Sequence, residues 1–408
     1  MTEWVVERLG RKGDGVLRGP DGQQALVARV MPGEVIAGEA AQGRISAPKI
    51  VTPSADRVAP GCAHYASCGG CSLMHGADRF VARWKAQMVE TALAAHGITT
   101  QIGGIATSPA RSRRRAVLSG RRTKKGVTLG FHGRASDQIV DISDCHLLRP
   151  KITAALPALR EMVAAGGSRG GEISLTVTDG PEGLDVAVAG GKPLDPALSA
   201  QLAALMERAD LARLHWGDES LTRRAPVQIM GRARVTPPPG AFLQATAEGE
   251  AALLSVVRKS LQGASRIVDL FAGCGTFSLP LAASADIHAV EGLSAPLEAL
   301  DAGWRATPGL HRITTEIRDL SARPLLPDEL NRFDGALIDP PRTGAAAQAA
   351  QLAASNLPRV AWVSCDPVSF ARDAKTMIEG GYQMGPIFVV DQFRWSPHVE
   401  TVTSFTRA

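Results

Sequence analysis

Aromatic side chains are scarce in this 408-residue chain, at 4% of the composition and with only two tyrosines. Base stacking on a broad aromatic surface is therefore not its main means of holding a ligand. No apolar run reaches the roughly 18 residues a membrane-spanning helix needs, and the opening MTEWVVERLGRKGDG lacks the apolar core of a secretory signal. Both absences lead us to expect a cytoplasmic chain with no membrane attachment. No internal repeat and no low-complexity tract is present, which excludes a repeat architecture. Cysteine is sparse too, at six residues, yet three of them fall within ten positions, CAHYASCGGC at 62–71. In a reducing compartment, clustered thiols read as metal ligands or catalysts before they read as disulfides.

What is present is ordinary globular composition, 45% hydrophobic and 21% charged, with a net charge of +5. The charge is unevenly placed. RSRRRAVLSGRRTKK, residues 111–125, holds eight basic residues in a strand-like alternation. We read it as a cationic face for a nucleic acid. The chain divides by texture. Residues 1–55 are short alternating pieces broken by glycine, the pattern of a small β-barrel. Residues 56–240 hold the cysteine trio, a helix at 77–97 that is a candidate to pack on the catalytic unit, and an α+β stretch with strands in RAVLS, VTLGFH, QIVDI, ISLTVT, LDVAVA and ARLHWG and helices at 151–165 and 194–208. PPPG at 237–240 marks a stiff boundary. Residues 241–408 alternate helix and strand, as a doubly wound α/β domain does.

IVDLFAGCGTFSLPLA, 267–282, reads as an apolar strand, a glycine turn and a helix. Gly273 lets the backbone approach a ligand where a side chain would clash. The D-x-x-x-G-x-G pattern lacks the third glycine of the dinucleotide fingerprint, which favours a nucleoside cofactor without a pyrophosphate. Glu291 ends the next strand, where a carboxylate takes ribose hydroxyls, and Asp319 follows the third, near an adenine edge. These acids at successive strand ends point to S-adenosylmethionine. WVSCDPVSFARD, 362–373, places Cys365 at another strand end beside that cleft. A thiolate adding to C6 of a uracil makes C5 nucleophilic, and cysteine is the side chain most readily ionised and nucleophilic enough for this. After methylation C5 still carries a proton. Glu400, in PHVETVTSF, is the candidate base, provided burial raises its pKa. Cys274 reads as a small loop residue, and His398 as a residue that shapes the turn.

The motifs together resemble the RNA (uracil-5-)-methyltransferase family. DLFAGCGTF resembles motif I of class I methyltransferases, and SCDP and HVE resemble the family's nucleophile and base motifs. Asp366 replaces the family's usual asparagine after the nucleophile. Arg342 stands where amino-methyltransferases carry an aromatic residue. AFLQATAEGEAAL resembles the cofactor segment that holds a glutamine, so the resemblance adds Gln244, Phe271 and Thr276 to Glu291 and Asp339 as cofactor contacts. C-x5-C-G-G-C with a distant D-C-x-L-L-x-P resembles the 4Fe–4S site of the ribosomal members. It implies Cys62, Cys68, Cys71 and Cys145 as ligands, with a bracing role and no redox step; zinc is the alternative metal. The N-terminal unit resembles the TRAM domain, an OB-like RNA-binding module. The expectation is an α/β chain: an OB-like barrel, a central iron–sulfur domain and a class I (Rossmann-like) methyltransferase domain. It would methylate C5 of a uridine in 23S rRNA, with no obligate protein partner. The alternatives are a tRNA (uracil-5-)-methyltransferase, an amino-methyltransferase using DPPR, and a non-catalytic iron–sulfur RNA-binding protein.

Overall fold

The computed structural model describes residues 2–19, 21–124 and 126–407. Among them the strands form a six-stranded, a seven-stranded and a nine-stranded sheet and a two-stranded ribbon. No described helix is long and apolar enough to cross a membrane.

The N-terminal sheet is built around Thr2–Leu9, which pairs antiparallel with Gly15–Arg18 on one side and Val35–Gly38 on the other. Trp4 and Val6 point inward by simple alternation. A bulge between Val6 and Arg8 then shifts the register, so Leu9 turns inward instead of Arg8. Trp4, Val6, Leu17, Val27 and Ile36 form the small core beneath this sheet.

The seven-stranded sheet contains Arg115–Thr123, Gly126–His132 and Glu172–Gly180, with helices Pro150–Gly166 and Pro196–Arg208 packed against it. The strands and helices expected for this stretch all form. The expected single cationic face does not stay free. Arg114 is buried, donating to Gln244 O at 3.0 Å and to the Glu250 carboxylate, while Arg115 donates to Ala241 O and Gly240 O at 3.0 and 3.1 Å. These arginines clamp the segment leading into the next unit. Arg122 and Lys124 reach the hairpin tip, where Arg169 joins them around a hollow of about 450 Å³. Lys125 lies outside the described residues.

The nine-stranded sheet runs in the order Ile313–Ile317, Asp286–Glu291, Arg266–Leu270, Gly335–Ile338, Arg359–Ser364, Glu400–Thr406, Ile387–Asp391, Ile102–Thr107, with the short strand Gln383–Met384 paired off this path to Glu400–Thr406. The first five are parallel to one another, and Glu400–Thr406 enters antiparallel. Parallel strands are covered on both faces, and two apolar clusters flank the sheet. Its last strand comes from upstream: Ile102–Thr107 pairs parallel with Ile387–Asp391. Helix Asp78–Ala94 follows it there, placing Val89 and Leu93 in the same cluster as Phe370 and Met377. Lys85 on this helix is fully buried and pairs with Asp391 at 2.5 Å. Residues 78–107 thus belong by hydrogen bonding and packing to the C-terminal sheet rather than to the seven-stranded one.

Candidate active site

The strand order reverses between Arg266–Leu270 and Gly335–Ile338. In a doubly wound sheet that switch point opens a crevice at the carboxyl ends of the strands. The N–H groups of Phe271 and Ala272 both donate to Val290 O, at 2.9 and 3.0 Å, which folds the chain back sharply after Leu270. The bend holds Phe271 at φ +66°, a left-handed conformation that costs a bulky residue about 1–3 kcal/mol. Gly273 follows at φ +54°, with no atom within 4 Å of where a Cβ would stand. Its N–H donates to Glu291 Oε2 at 3.0 Å, while Glu291 Oε1 accepts from Gly292 and Leu293. Thr276 lies half-buried in the same loop.

Asp269, at the end of the first strand, is 1% exposed. Ser278 Oγ donates to its Oδ2 at 2.5 Å, and its Oδ1 has no hydrogen-bond partner among the described residues. Burial pushes this carboxyl up to about 7. Asp339, similarly raised to about 7 by burial, accepts from Gln244 Nε2 at 3.3 Å. An orphaned buried oxygen, an open glycine face and a row of carboxylates fit the hydroxyl- and amine-bearing nucleoside of S-adenosylmethionine. Asp319 stands apart. It is exposed, and its Oδ1 caps the turn at Ser321 N–H, 2.9 Å away.

Cys365 follows strand Arg359–Ser364 directly and precedes helix Pro367–Glu379. Asp366 caps that helix, accepting from Val368 and Ser369 N–H at 2.9 and 3.0 Å, and Pro367 opens it. Cap and proline fix the strand-to-helix turn and hence the direction of the thiol. The second oxygen of Asp366 meets Arg11 of the N-terminal unit at 3.0 Å. Burial first, then the charges of Glu400 and Asp339, push the Cys365 thiol up to about 12, while Arg342 pulls it down. Glu400 begins its strand and is 3% exposed. Burial, reinforced by Asp339, holds its carboxyl well above the ordinary carboxylate range, against hydrogen bonding from Gln392 and the charge of Arg342. Desolvation and then the Arg342 charge depress His398 to about 4, so it is neutral at pH 7; its Nδ1 lies 3.5 Å from Arg342 Nη2. A cavity of about 1120 Å³ opens over Cys365, lined also by Arg8, Arg11, Lys12, Arg83 and Trp84. Cys274 is buried within the Gly273 loop, its thiol pushed up to about 12 by burial.

Gln392, at 2% exposed, is the residue the sequence reading passes over. It donates to Gln244 Oε1, and its amide favours the ionised form of the Glu400 carboxyl on the neighbouring strand. An amide between an apolar strand and the HVE segment is the signal that could have singled it out.

The four remaining cysteines lie in the region between the N-terminal and seven-stranded sheets. Cys62, Cys68 and Cys71 are half-buried and Cys145 is buried; all four are free thiols. Burial raises Cys68, Cys71 and Cys145, and the neighbouring thiols add to each shift. Gly70 N–H points at Cys68 Sγ, 3.4 Å away. Four mutually interacting thiols and an amide aimed at sulfur are a donor chemistry that fits a soft metal centre. Among the described residues, however, no three His, Cys, Asp or Glu side chains are gathered closely enough to hold a metal ion. The loop is tied to the active site: Ser72 and Leu73 N–H both donate to Trp395 O, at 2.8 and 2.9 Å.

Residues 326–408, which carry Asp339, Cys365 and Glu400, match the family model for tRNA (uracil-5-)-methyltransferase. The chain is 40% identical over 404 residues to a protein of Brucella suis named an uncharacterized RNA methyltransferase, covering 99% of this chain and 97% of that one. It is 32% identical over 428 residues to the 23S rRNA (uracil(1939)-C(5))-methyltransferase of Chromohalobacter salexigens, covering 98% of this chain and 88% of that protein. The chain belongs to the RNA (uracil-5-)-methyltransferase family. Its fold matches the solved structure of the Pyrococcus abyssi tRNA (uracil-54, C5)-methyltransferase in complex with S-adenosyl-L-homocysteine, with a TM-score of 0.77, 22% identity and 99% coverage of both chains. As a family member the chain is an S-adenosylmethionine-dependent RNA-modifying enzyme with an α/β methyltransferase fold.

Proposed function

We propose that this enzyme methylates C5 of a uridine in 23S rRNA, with Cys365 as nucleophile and Glu400 as base. The single observation that supports this most is the pairing of a half-buried thiol at a strand end with a buried, pKa-raised glutamate, each within electrostatic reach of the other beside Asp339. An amino-methyltransferase using DPPR has no use for that pair, and neither has a non-catalytic RNA-binding protein.

S-Adenosylmethionine supplies the methyl group as a sulfonium electrophile, and the residues we assign to hold it are Gln244, Phe271, Gly273, Thr276, Glu291, Asp319 and Asp339. Cys365, as the thiolate, adds through sulfur to C6 of the uracil; the C5–C6 π electrons shift to C5, which takes the methyl group while the donor's sulfur leaves as a neutral thioether. The proton left on C5 then passes to the Glu400 carboxylate. Its electron pair restores the C5–C6 double bond and expels Cys365 as a thiolate. Arg342, facing Cys365, Glu400 and His398, offsets the anionic charge created in this step. The cavity over Cys365 is wide enough for a nucleotide rotated out of its stack, and its arginines and lysine suit the flanking phosphates.

We further propose that Cys62, Cys68, Cys71 and Cys145 hold a 4Fe–4S cluster, which would supply a structural tie and no electrons. We assign residues 1–55 to an OB-like, TRAM-type RNA-binding barrel, 56–240 to the central iron–sulfur domain and 241–408 to the methyltransferase domain, with residues 78–107 docked on the last. The enzyme would work in the cytoplasm, without membrane or obligate protein partner. The 32% identical relative supports 23S rRNA as substrate. Protein purified anaerobically and offered unmodified 23S rRNA or tRNA, with products mapped by mass spectrometry, tests this. 5-Methyluridine in 23S rRNA is expected. The same base in tRNA overturns the substrate, and methylation of any other base overturns the chemistry.

A further inference from the structure

Gln392 sits immediately after strand Ile387–Asp391, in the buried space between the cofactor crevice and Glu400. Its partners fix its orientation. Ala245 N–H lies 2.8 Å from Gln392 Oε1. A backbone N–H can only donate, so the oxygen of the amide must face Ala245 and its two N–H bonds must face elsewhere. One reaches Gln244 Oε1 at 2.5 Å. Gln244 is thereby forced to turn its own N–H bonds toward Asp339, where Nε2 lies 3.3 Å from Oδ2. The remaining N–H of Gln392 is free for Glu400, whose strand pairs with that of Gln392 through Val390 and whose ionised form this amide favours. One backbone amide thus sets the polarity of a chain of side chains that runs from Asp339 through Gln244 to Gln392, beside the strand that begins with Glu400.

The seat for Gln392 is built for it. Gly249, in the first turn of helix Ala247–Ser260, lets the helix close over this side chain. A Cβ at Gly249 would stand 2.7 Å from Gln392 Cβ and 3.1 Å from its Oε1.

We propose that Gln392 is a positioning residue that couples the two halves of the reaction, holding Gln244 oriented toward the methyl donor and Glu400 oriented and ready to accept the C5 proton. The inference rests on the mechanism proposed above. The carboxyl of Glu400 feels the charges of Asp339 and Arg342 and lies within electrostatic reach of the Cys365 thiol, and the Gln392 amide favours its ionised form against burial. Proton removal needs Glu400 ionised, so the release step speeds up as pH rises through its pKa. Without the Gln392 donor that pKa climbs further and release lags behind methylation.

The test is Gln392→Met, which keeps length and volume but donates nothing, beside wild type and Gly249→Ala, which keeps the amide and crowds it. The readouts are 5-methyluridine formation across pH, the fraction of enzyme linked to methylated RNA after denaturation, and the melting temperature. We expect the pH midpoint of product release to rise by about one unit, a tenfold change in the ionised fraction at a given pH. The linked fraction at pH 7 should rise about tenfold with it, and Gly249→Ala should shift both in the same direction by less. A Gln392→Met enzyme that melts normally and is slower, but has an unmoved pH midpoint and no added adduct, overturns the coupling. If Gln392→Met unfolds early, Gly249→Ala decides by the same two readouts. Wild type that forms no 5-methyluridine in any RNA sinks the mechanism and this role together, a result distinct from an unmoved midpoint in an active enzyme.

Discussion

The two cysteine-bearing regions of this enzyme are held in opposite ways. Cys365 stands between a buried strand and a helix capped by Asp366, so regular backbone on both sides dictates where its sulfur points. Cys62, Cys68 and Cys71 lie in a run of turns, and Cys145 follows strand Ile139–Asp141 at the edge of the seven-stranded sheet. The role proposed for Cys365 demands attack along one line, which a position built into the scaffold provides. The role proposed for the other four demands only that they converge, and the energy of metal binding could itself complete their arrangement.

Substitutions at the two regions should accordingly differ in kind. The largest effect is expected for Cys365→Ala, which should lower methyl transfer on the order of 10⁴-fold or more, the scale on which removing a covalent nucleophile acts. Its melting temperature should stay unchanged. A retained rate, read by mass spectrometry of the RNA, would put the chemistry elsewhere.

Glu400→Gln should cut turnover about 10²- to 10⁴-fold while leaving the first half of the reaction intact, so that methylated RNA stays bound to Cys365 on a denaturing gel. Wild-type release should climb with pH, because a carboxyl held above its ordinary range is protonated over more of the neutral region. The Glu400→Gln enzyme should lose that climb, and a profile that keeps it would assign the base to another residue.

Cys145→Ser should act through assembly rather than chemistry. Bound iron and sulfide in anaerobically purified protein should fall at least about tenfold, since even changes to groups behind a metal ligand cost that much. Iron content equal to wild type would remove Cys145 from the ligand set.

The smallest effect is expected outside both regions. Arg114→Ala leaves Glu250 without its cation at a site where the two side chains are 8% and 15% exposed. Stability should drop by about 3 kcal/mol in denaturant unfolding, with kcat per folded molecule nearly unchanged.

Much of the candidate site was legible because its residues sit in short motifs at strand ends. A strand's apolar run announces where it stops, and the residues at its end fall at the crevice, as Gly273, Glu291, Asp339 and Cys365 do. Gln392 was not legible, because the contact that orients it is a backbone N–H 147 positions away in sequence. Strand Ile102–Thr107 was hidden for the same reason: IGGIAT has little pattern of its own, and its partner lies near the other end of the chain. Charge misled as well, since arginines that clamp two parts of the fold look in sequence like arginines waiting for a phosphate.

That last point changes what the basic run contributes to RNA affinity. Of its eight cationic side chains, Arg111 is matched by Asp144, Arg121 by Glu172 and Arg114 by Glu250, and Arg113 and Arg115 spend their N–H groups on backbone carbonyls. Each cation that meets a phosphate releases a condensed counterion, which makes affinity fall with salt at a slope of about −0.7 per contact on single strands. Among the seven described cations of the run, Arg122 and Lys124 at the hairpin tip would account for a slope of roughly −1.4, where seven free cations would give roughly −4.9. Binding by this part of the enzyme should therefore be tolerant of ionic strength, and RNA release after methylation need not wait for a large cloud of ions to return.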